Sequence, residues 1–272
     1  MRRVQAFEFC DLPWIPALFR EGFMDCLNNI HRLMEPYRHI APIIQQWARR
    51  LGTERILDIG SGGGAQIATL LKYLGEDAPQ FTLSDLYPQV EAYRALQQRL
   101  GASRIAYLEA PAPVAALPRE HRVLTIFSAF HHLPPQAARE LLEEVVRNRD
   151  GLCIVEFTRR TPLDLLSMFP AFFINMLAPL TAERLRAGKL LWGTLLPIIP
   201  AMVCFDGFVS ALRSYTTAEL KALLPPEAAR DFAIEYGEVR WGRLPLSKSS
   251  YFILSRKSRL QTPSSALAVT AA

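Results

Sequence analysis

Ten consecutive residues, Arg55-Ile56-Leu57-Asp58-Ile59-Gly60-Ser61-Gly62-Gly63-Gly64, restrict the fold of this chain more than any other stretch. Ile56, Leu57 and Ile59 are the apolar residues of a buried strand, and Asp58 sits among them near its end. The glycines that follow can take φ > 0 and let the backbone approach a ligand closely. Ala65-Gln66-Ile67-Ala68-Thr69-Leu70-Leu71 then reads as a helix. Strand, glycine turn and helix N-terminus in that order make a seat for a nucleotide-like ligand.

The pattern repeats downstream in coarser form. Strands are predicted over Phe81 to Ser84, Ile105 to Glu109, Val123 to Ser128 and Leu152 to Phe157. Helices are predicted from Ala65 to Tyr73, Val90 to Leu100 and Ala137 to Arg147. Such alternation implies an α/β, doubly wound Rossmann-like sheet, mostly parallel. Upstream, Phe19, Phe23, Leu27 and Ile30 fall at helical spacing, so residues 1–53 read as an N-terminal helical cap. Residues 54–160 form the ligand-binding core. Phe232 to Tyr236 and Tyr251 to Ser255 read as a closing strand pair within 225–257, without a helix between them. The segment 258–272 lacks periodicity and reads as a disordered tail.

Ligands of parallel α/β sheets sit beyond the carboxyl ends of the strands. That rule selects Gly60, Ser61, Gly62 and Gly63 after the first strand and Asp85 after the second. Asp85 stands at the distance expected for an acid that grips ribose hydroxyls; a helix N-cap is the rival role. After the fourth strand come Phe130, His131 and His132, where an imidazole can orient a substrate or act as a base. Capping and packing are the competing roles. Glu156 ends the fifth strand, and an acid within an apolar strand needs a partner or a task. It could hold a substrate, offset a cofactor's positive charge, or pair with Arg159. If Asp206 to Tyr215 is helical, Asp206, Ser210 and Arg213 share one face, either over a pocket mouth or as a surface ion pair. No metal site is expected, because adjacent histidines point apart and no third ligand is evident.

The pattern Asp58-x-Gly60-x-Gly62-x-Gly64 resembles the first motif of class I S-adenosylmethionine-dependent methyltransferases. Gly60-x-Gly62-x-x-Ala65 also satisfies the dinucleotide fingerprint, but Asp58 stands where such sites usually carry an apolar residue. The resemblance spans Arg55 to Arg160. It implies S-adenosyl-L-methionine as cofactor and an antiparallel last strand. It implies a cofactor set of Asp58, Gly60, Ser61, Gly62, Gly63, Asp85, Leu86, Glu109 and Ala129, with Glu109 toward the adenine. The residues themselves suggest an acceptor set of Phe130, His132, Ser210, Arg213 and Tyr215, with His131, Glu156 and Asp206 as candidates for catalysis. A non-catalytic cofactor-binding scaffold and a nicotinamide-dependent reductase are the alternatives; the reductase lacks a Tyr-x-x-x-Lys pair after the fifth strand.

Residues 161–224 set this chain apart. Leu165 to Ala182 and Leu190 to Phe205 carry no charge but are broken by Pro170, Pro179, Pro197 and Pro200, and Glu183, Arg184, Arg186 and Lys189 separate them. A membrane span needs about 20 predominantly apolar residues. The segment therefore reads as a helical lid over an apolar pocket, an interfacial membrane hairpin or a homodimer interface. Each makes its partner apolar, and a small, hydrophobic or lipid-like acceptor is expected. The net charge of +5 comes from scattered basic residues, not from a nucleic-acid footprint. Cys10, Cys26, Cys153 and Cys204 form no C-x-x-C pair, and the first residues lack a signal peptide's apolar run. A cytoplasmic protein is expected, with contact to the inner membrane left open by the apolar segment.

Overall fold

The computed structural model describes residues 1–12, 14–181, 186–242 and 247–261. Pro13, Glu183, Arg184 and residues 262–272 of the expected tail lie outside the described residues. Two N-terminal helices, α1 (Ala17–Met34) and α2 (Ala41–Leu51), precede the alternating core. The core runs β1 (Arg55–Ile59), α3 (Ala65–Leu70), β2 (Gln80–Ser84), α4 (Val90–Leu100), β3 (Ile105–Tyr107), β4 (Val123–Phe127), α5 (Pro135–Asn148) and β5 (Gly151–Glu156). An insert follows: α6 (Pro162–Asn175), α7 (Ala178–Thr181), α8 (Ala187–Leu190), a π turn (Leu191–Leu195), α9 (Ile198–Arg213) and α10 (Thr217–Leu223). Then α11 (Glu227–Asp231), β6 (Phe232–Arg240) and β7 (Lys248–Arg256) close the fold.

The seven strands lie in the order β3-β2-β1-β4-β5-β7-β6. β1 to β5 pair in parallel, whereas β7 is antiparallel to both β5 and β6. A nine-residue hairpin ladder, Phe232↔Arg256 to Arg240↔Lys248, explains why the last two strands are longer than the sequence suggests. A dinucleotide-binding sheet has the order 3-2-1-4-5-6 with a crossover to its last strand; here the last strand inserts between β5 and β6.

Alternation along the strands divides the core into two layers. Ile56, Phe81, Leu83 and Val155 face α2, α3 and α4, while Leu57, Leu124, Ile126 and Ile154 face α5, α10 and α11. Each such side chain stabilises the fold by about 1.5–3 kcal/mol when fully buried. A smaller cluster of Cys26, Ala178, Ile199 and Val203 joins α1 to the insert. On α1 the buried positions are Gly22, Cys26, Asn29 and His31. The stripe of Phe19, Phe23 and Leu27 is half-buried and faces cavities instead of the sheet. Among the described residues no single helix is long and apolar enough to cross a membrane; only the pair Ala187–Leu195 and Ile198–Arg213, bent by 61°, meets that test by length and composition.

Candidate functional site

The glycine turn is held from beneath. Asp58 is buried, and its two carboxylate oxygens accept hydrogen bonds from Ser61 Oγ (2.7 Å) and Thr125 Oγ1 (2.8 Å). The Ser61 N–H donates to Ser84 O (2.9 Å), tying the turn to β2. Gly60, Gly62 and Gly64 all have positive φ. A Cβ on Gly64 would stand 2.6 Å from Leu96 and 2.8 Å from Leu83, whereas one on Gly62 would meet nothing within 4 Å. Gly64 therefore packs the turn onto the core, and Gly62 opens it to a cleft. Asp58 and Ser61 lie below that opening, so they position the turn and do not line the cleft.

Burial raises the Asp58 carboxyl to about 7 against the hydroxyl bonds, which lower it. A carboxyl raised in the folded state retains its proton after the unfolded chain has lost it. Its stabilising contribution is complete below pH 3.8 and disappears as pH rises to about 7. Asp58→Asn removes this proton linkage. The difference in Tm between wild type and variant is therefore expected to change steadily over pH 4–7 and to be flat above it. Parallel Tm profiles for the two proteins would refute this assignment.

Asp85, at the end of β2, accepts from the Gly62 N–H through Oδ2 (2.8 Å) and from the Tyr87 N–H through Oδ1 (2.9 Å). It does not cap α4, whose N-cap is Gln89. Glu109 falls beyond the three-residue β3, is exposed, and stands 4.0 Å from Arg94. Leu86 is exposed, and Ala129 packs against Gly60. None of these four lines either of the two cavities that follow.

Two cavities open at the carboxyl edge of the sheet. The first, about 690 Å³, is lined by Gly60, Gly62, Gly63, Gln66, Gln89 and one face of α1. The second, about 720 Å³, lies between α1, α6, α9 and the segment after β4. Cys10, Phe23, Leu27, His31 and Gln66 line both, so the two meet there. The second cavity's wall is apolar along α6. Leu166 (69% exposed) and Phe169 (71%) form an apolar rim at its mouth.

The polar end of the second cavity is built on a strained turn. Ser128 has φ 49°, a left-handed conformation costing about 1–3 kcal/mol in a non-glycine residue. Its N–H bonds Val155 O (2.8 Å) and its hydroxyl accepts from the Phe157 N–H (3.3 Å), which compel the bend. The following 3-10 turn, Phe130–His132, presents His131 to Glu156. Glu156 accepts from the His131 backbone N–H (3.0 Å) and from ring Nδ1 (2.7 Å). Glu156 thus fixes the imidazole proton on Nδ1 and leaves Nε2, buried and without a hydrogen-bond partner among the described residues, at the cavity. Arg159 pairs instead with Asp164 (2.9 Å) and Glu238 (2.7 Å), so the salt bridge to Arg159, one of the roles open to Glu156, does not form.

The N-terminal segment roofs this end. Asp206 accepts from the backbone N–H groups of Phe9 (2.7 Å) and Cys10 (2.9 Å). Ser210 Oγ donates to the buried Glu8 (3.0 Å), and Arg213 lies 3.1 Å from both Glu8 and Asp11. The stripe of Asp206, Ser210 and Arg213 on α9 therefore clamps residues 6–11. Burial raises the Asp206 carboxyl against those two backbone bonds. Burial opposes the His132 imidazolium, but a hydrogen bond to Asp11 and the charges of Glu8 and Asp11 outweigh it and raise the His132 pKa.

Of the expected acceptor contacts, His132 and Ser210 line the cavity, as do His131 and Asp206. Arg213 stands behind Glu8. Phe130 and Tyr215 do not line it: Phe130 is core, and the Tyr215 ring packs on Phe130 with its hydroxyl on Leu133 O (2.8 Å). The premises against a metal site also need correction. The His131 and His132 rings lie 4.3 Å apart at 33°, and Glu8 approaches both, at 3.9 and 3.6 Å. What opposes a cation there is Arg213, 3.1 Å from Glu8 and from His132 Nδ1. Sequence reasoning gave neither Glu8 nor His31 a role, although the segment Phe7 to Trp14 that holds Glu8 stands out by its aromatics.

No family model matches the chain, and no curated protein matches it. Solved structures do. The plantazolicin methyltransferase BpumL, in complex with SAH, superposes with a TM-score of 0.53 at 14% identity over 89% of this chain and 95% of its own. The O-methyltransferase NcsB1 from neocarzinostatin biosynthesis, in complex with S-adenosylmethionine and 2-hydroxy-5-methyl naphthoic acid, gives 0.51 at 18% identity over 88% of this chain. This chain spans 58% of NcsB1 and about half of two further matched structures. The fold is the Rossmann-like α/β fold of these methyltransferases.

Proposed function

We propose that this chain is an S-adenosylmethionine-dependent methyltransferase that methylates a hydroxyl oxygen of a small apolar acceptor. The observation that carries the reading is the junction of two cavities, one floored by the glycine turn and one bearing the buried His131–Glu156 pair. The site suits the cofactor: Gly62 presents bare backbone where a side chain would fill the cleft, and Asp85 stands beside it with lone pairs for ribose hydroxyls. When bound, S-adenosylmethionine supplies a methyl carbon activated by its sulfonium.

The chain's own residues do the rest. The apolar walls exclude water and hold the acceptor in line, which can supply much of the rate. His131 Nε2 takes the hydroxyl proton as the oxygen attacks, and Glu156 stabilises the resulting imidazolium. The insert acts as a lid whose apolar rim admits a hydrophobic acceptor. BpumL and NcsB1, solved with SAH and S-adenosylmethionine respectively, support the choice of cofactor.

Calorimetric titration with SAH and with NADH tests the reading. SAH is expected to bind and NADH not. Gly62→Arg, which puts a long side chain into the cleft at φ 53°, is expected to abolish SAH binding. A folded wild-type protein that ignores SAH would sink the proposal.

A further inference from the structure

The imidazole of His31 is another unexplained polar group of the site. It is 6% exposed, and neither ring nitrogen has a hydrogen-bond partner among the described residues. Native proteins satisfy nearly all buried polar groups, so an orphan of this kind requires a reason. Its surroundings give one. His31 lies on α1 in the strip of residues that lines both cavities, where cofactor and acceptor must meet. Its ring packs 5.0 Å from Phe157 and 5.6 Å from Tyr37, and Trp241 packs 5.4 Å from Phe157. Phe157 and Trp241 also line the acceptor cavity. The imidazole is thus packed among aromatic rings that satisfy neither nitrogen. Burial lowers its pKa to about 4, so at neutral pH it is uncharged and offers one N–H donor and one acceptor.

We propose that His31 selects the acceptor by hydrogen-bonding a second oxygen next to the one that is methylated, so that the substrate class is a planar aromatic carrying two neighbouring oxygen functions. This rests on the methyltransferase reading above and deepens it. Two imidazoles then divide the work in one cavity. His131, oriented by Glu156, handles the reacting hydroxyl. His31 has no such partner and stays neutral, so it positions without taking a proton. A site with a polar group waiting for a ligand oxygen discriminates against analogues that lack it, because that group is then left buried and unpaired. The cavity of about 720 Å³ lies within the range typical of small-molecule sites, about 300–1,000 Å³.

The test pairs two probes on one frame, 2-naphthol and 2,3-dihydroxynaphthalene, titrated into the full chain saturated with SAH. Wild type is expected to bind the diol about five- to tenfold more tightly, the worth of one net hydrogen bond. His31→Phe should bring the two within twofold of each other, while His31→Gln should keep part of the preference. Stability gives a second readout. Replacing an orphan imidazole by a ring of similar shape should leave the Tm of the ligand-free protein unchanged or raise it by about 2–4 °C.

The proposal is overturned if His31→Phe keeps the diol preference. It is overturned equally if wild type shows no preference or binds neither naphthalene, or if His31→Phe lowers Tm by several degrees, which would reveal a structural partner. Failure of SAH to bind wild type would instead remove the methyltransferase reading itself.

Discussion

Replacing His131 by Gln is expected to lower kcat by about 10²–10⁴-fold, with SAH affinity unchanged within twofold. The imidazole lies in the acceptor cavity and does not line the glycine cleft, so its loss should spare cofactor binding. The sharper case is Glu156→Gln, which preserves shape. One oxygen of Glu156 accepts from the His131 backbone N–H, and the other faces Nδ1. A glutamine must keep its carbonyl toward the backbone donor, and its amide then donates to Nδ1. The ring proton moves to Nε2, and the base is lost although every atom is nearly in place. The same logic makes the triad's aspartate indispensable in serine proteases. Glu156→Gln should therefore approach the loss of His131→Gln, and the double variant should be little worse than either alone. Single-turnover rates on any hydroxylated acceptor check this. Additive losses, or a Glu156→Gln variant within threefold of wild type, would show that the pair does not act as a unit.

What could be read from the sequence was local. Asp58 and the glycines after it carry their own conformational demands, and β1, β2, β4 and β5 announce themselves as short apolar runs. The parallel order of β1 to β5 and the seat beyond their ends follow from those signals. Limits appear wherever a role depends on distant partners. Glu8 is buried because Ser210 and Arg213, some 200 residues away, meet it. The helical spacing of Phe19, Phe23 and Leu27 marks α1 correctly but gives no hint that this stripe faces cavities. Phe130 and Tyr215 sit beside functional residues in sequence, yet the 3-10 turn directs Phe130 into the core while His131 faces the cavity. In a 3-10 turn consecutive side chains leave in different directions, so adjacency there carries no information about a shared site. His31 has no pattern at all; only its lack of partners, visible in three dimensions, marks it.

The largest stability effect is expected at Arg213. Its guanidinium is buried and lies 3.1 Å from Glu8, itself buried, and it also donates to Ala6 O (2.8 Å) and Asp11 (3.1 Å). Removing one partner of a buried pair leaves the other as an uncompensated charge, which costs about 3–5 kcal/mol. For a domain of this size that corresponds to a fall in Tm of roughly 6–20 °C for Arg213→Met. Glu8→Gln alone should cost less, since the amide still accepts from Ser210, whose Oγ is 3.0 Å away. Combining the two should recover part of the Arg213→Met loss, because no buried carboxylate then lacks its cation. Strict additivity of the two losses would mean that Glu8 and Arg213 are not energetically coupled and would refute the clamp. The same cycle separates fold from function. The double variant regains stability but holds residues 6–11 on α9 only through Asp206 and Ser210, so the roof of the acceptor cavity is loosened. SAH binding at the glycine turn should persist in the double variant while turnover stays low, placing the clamp's contribution on the acceptor side of the junction.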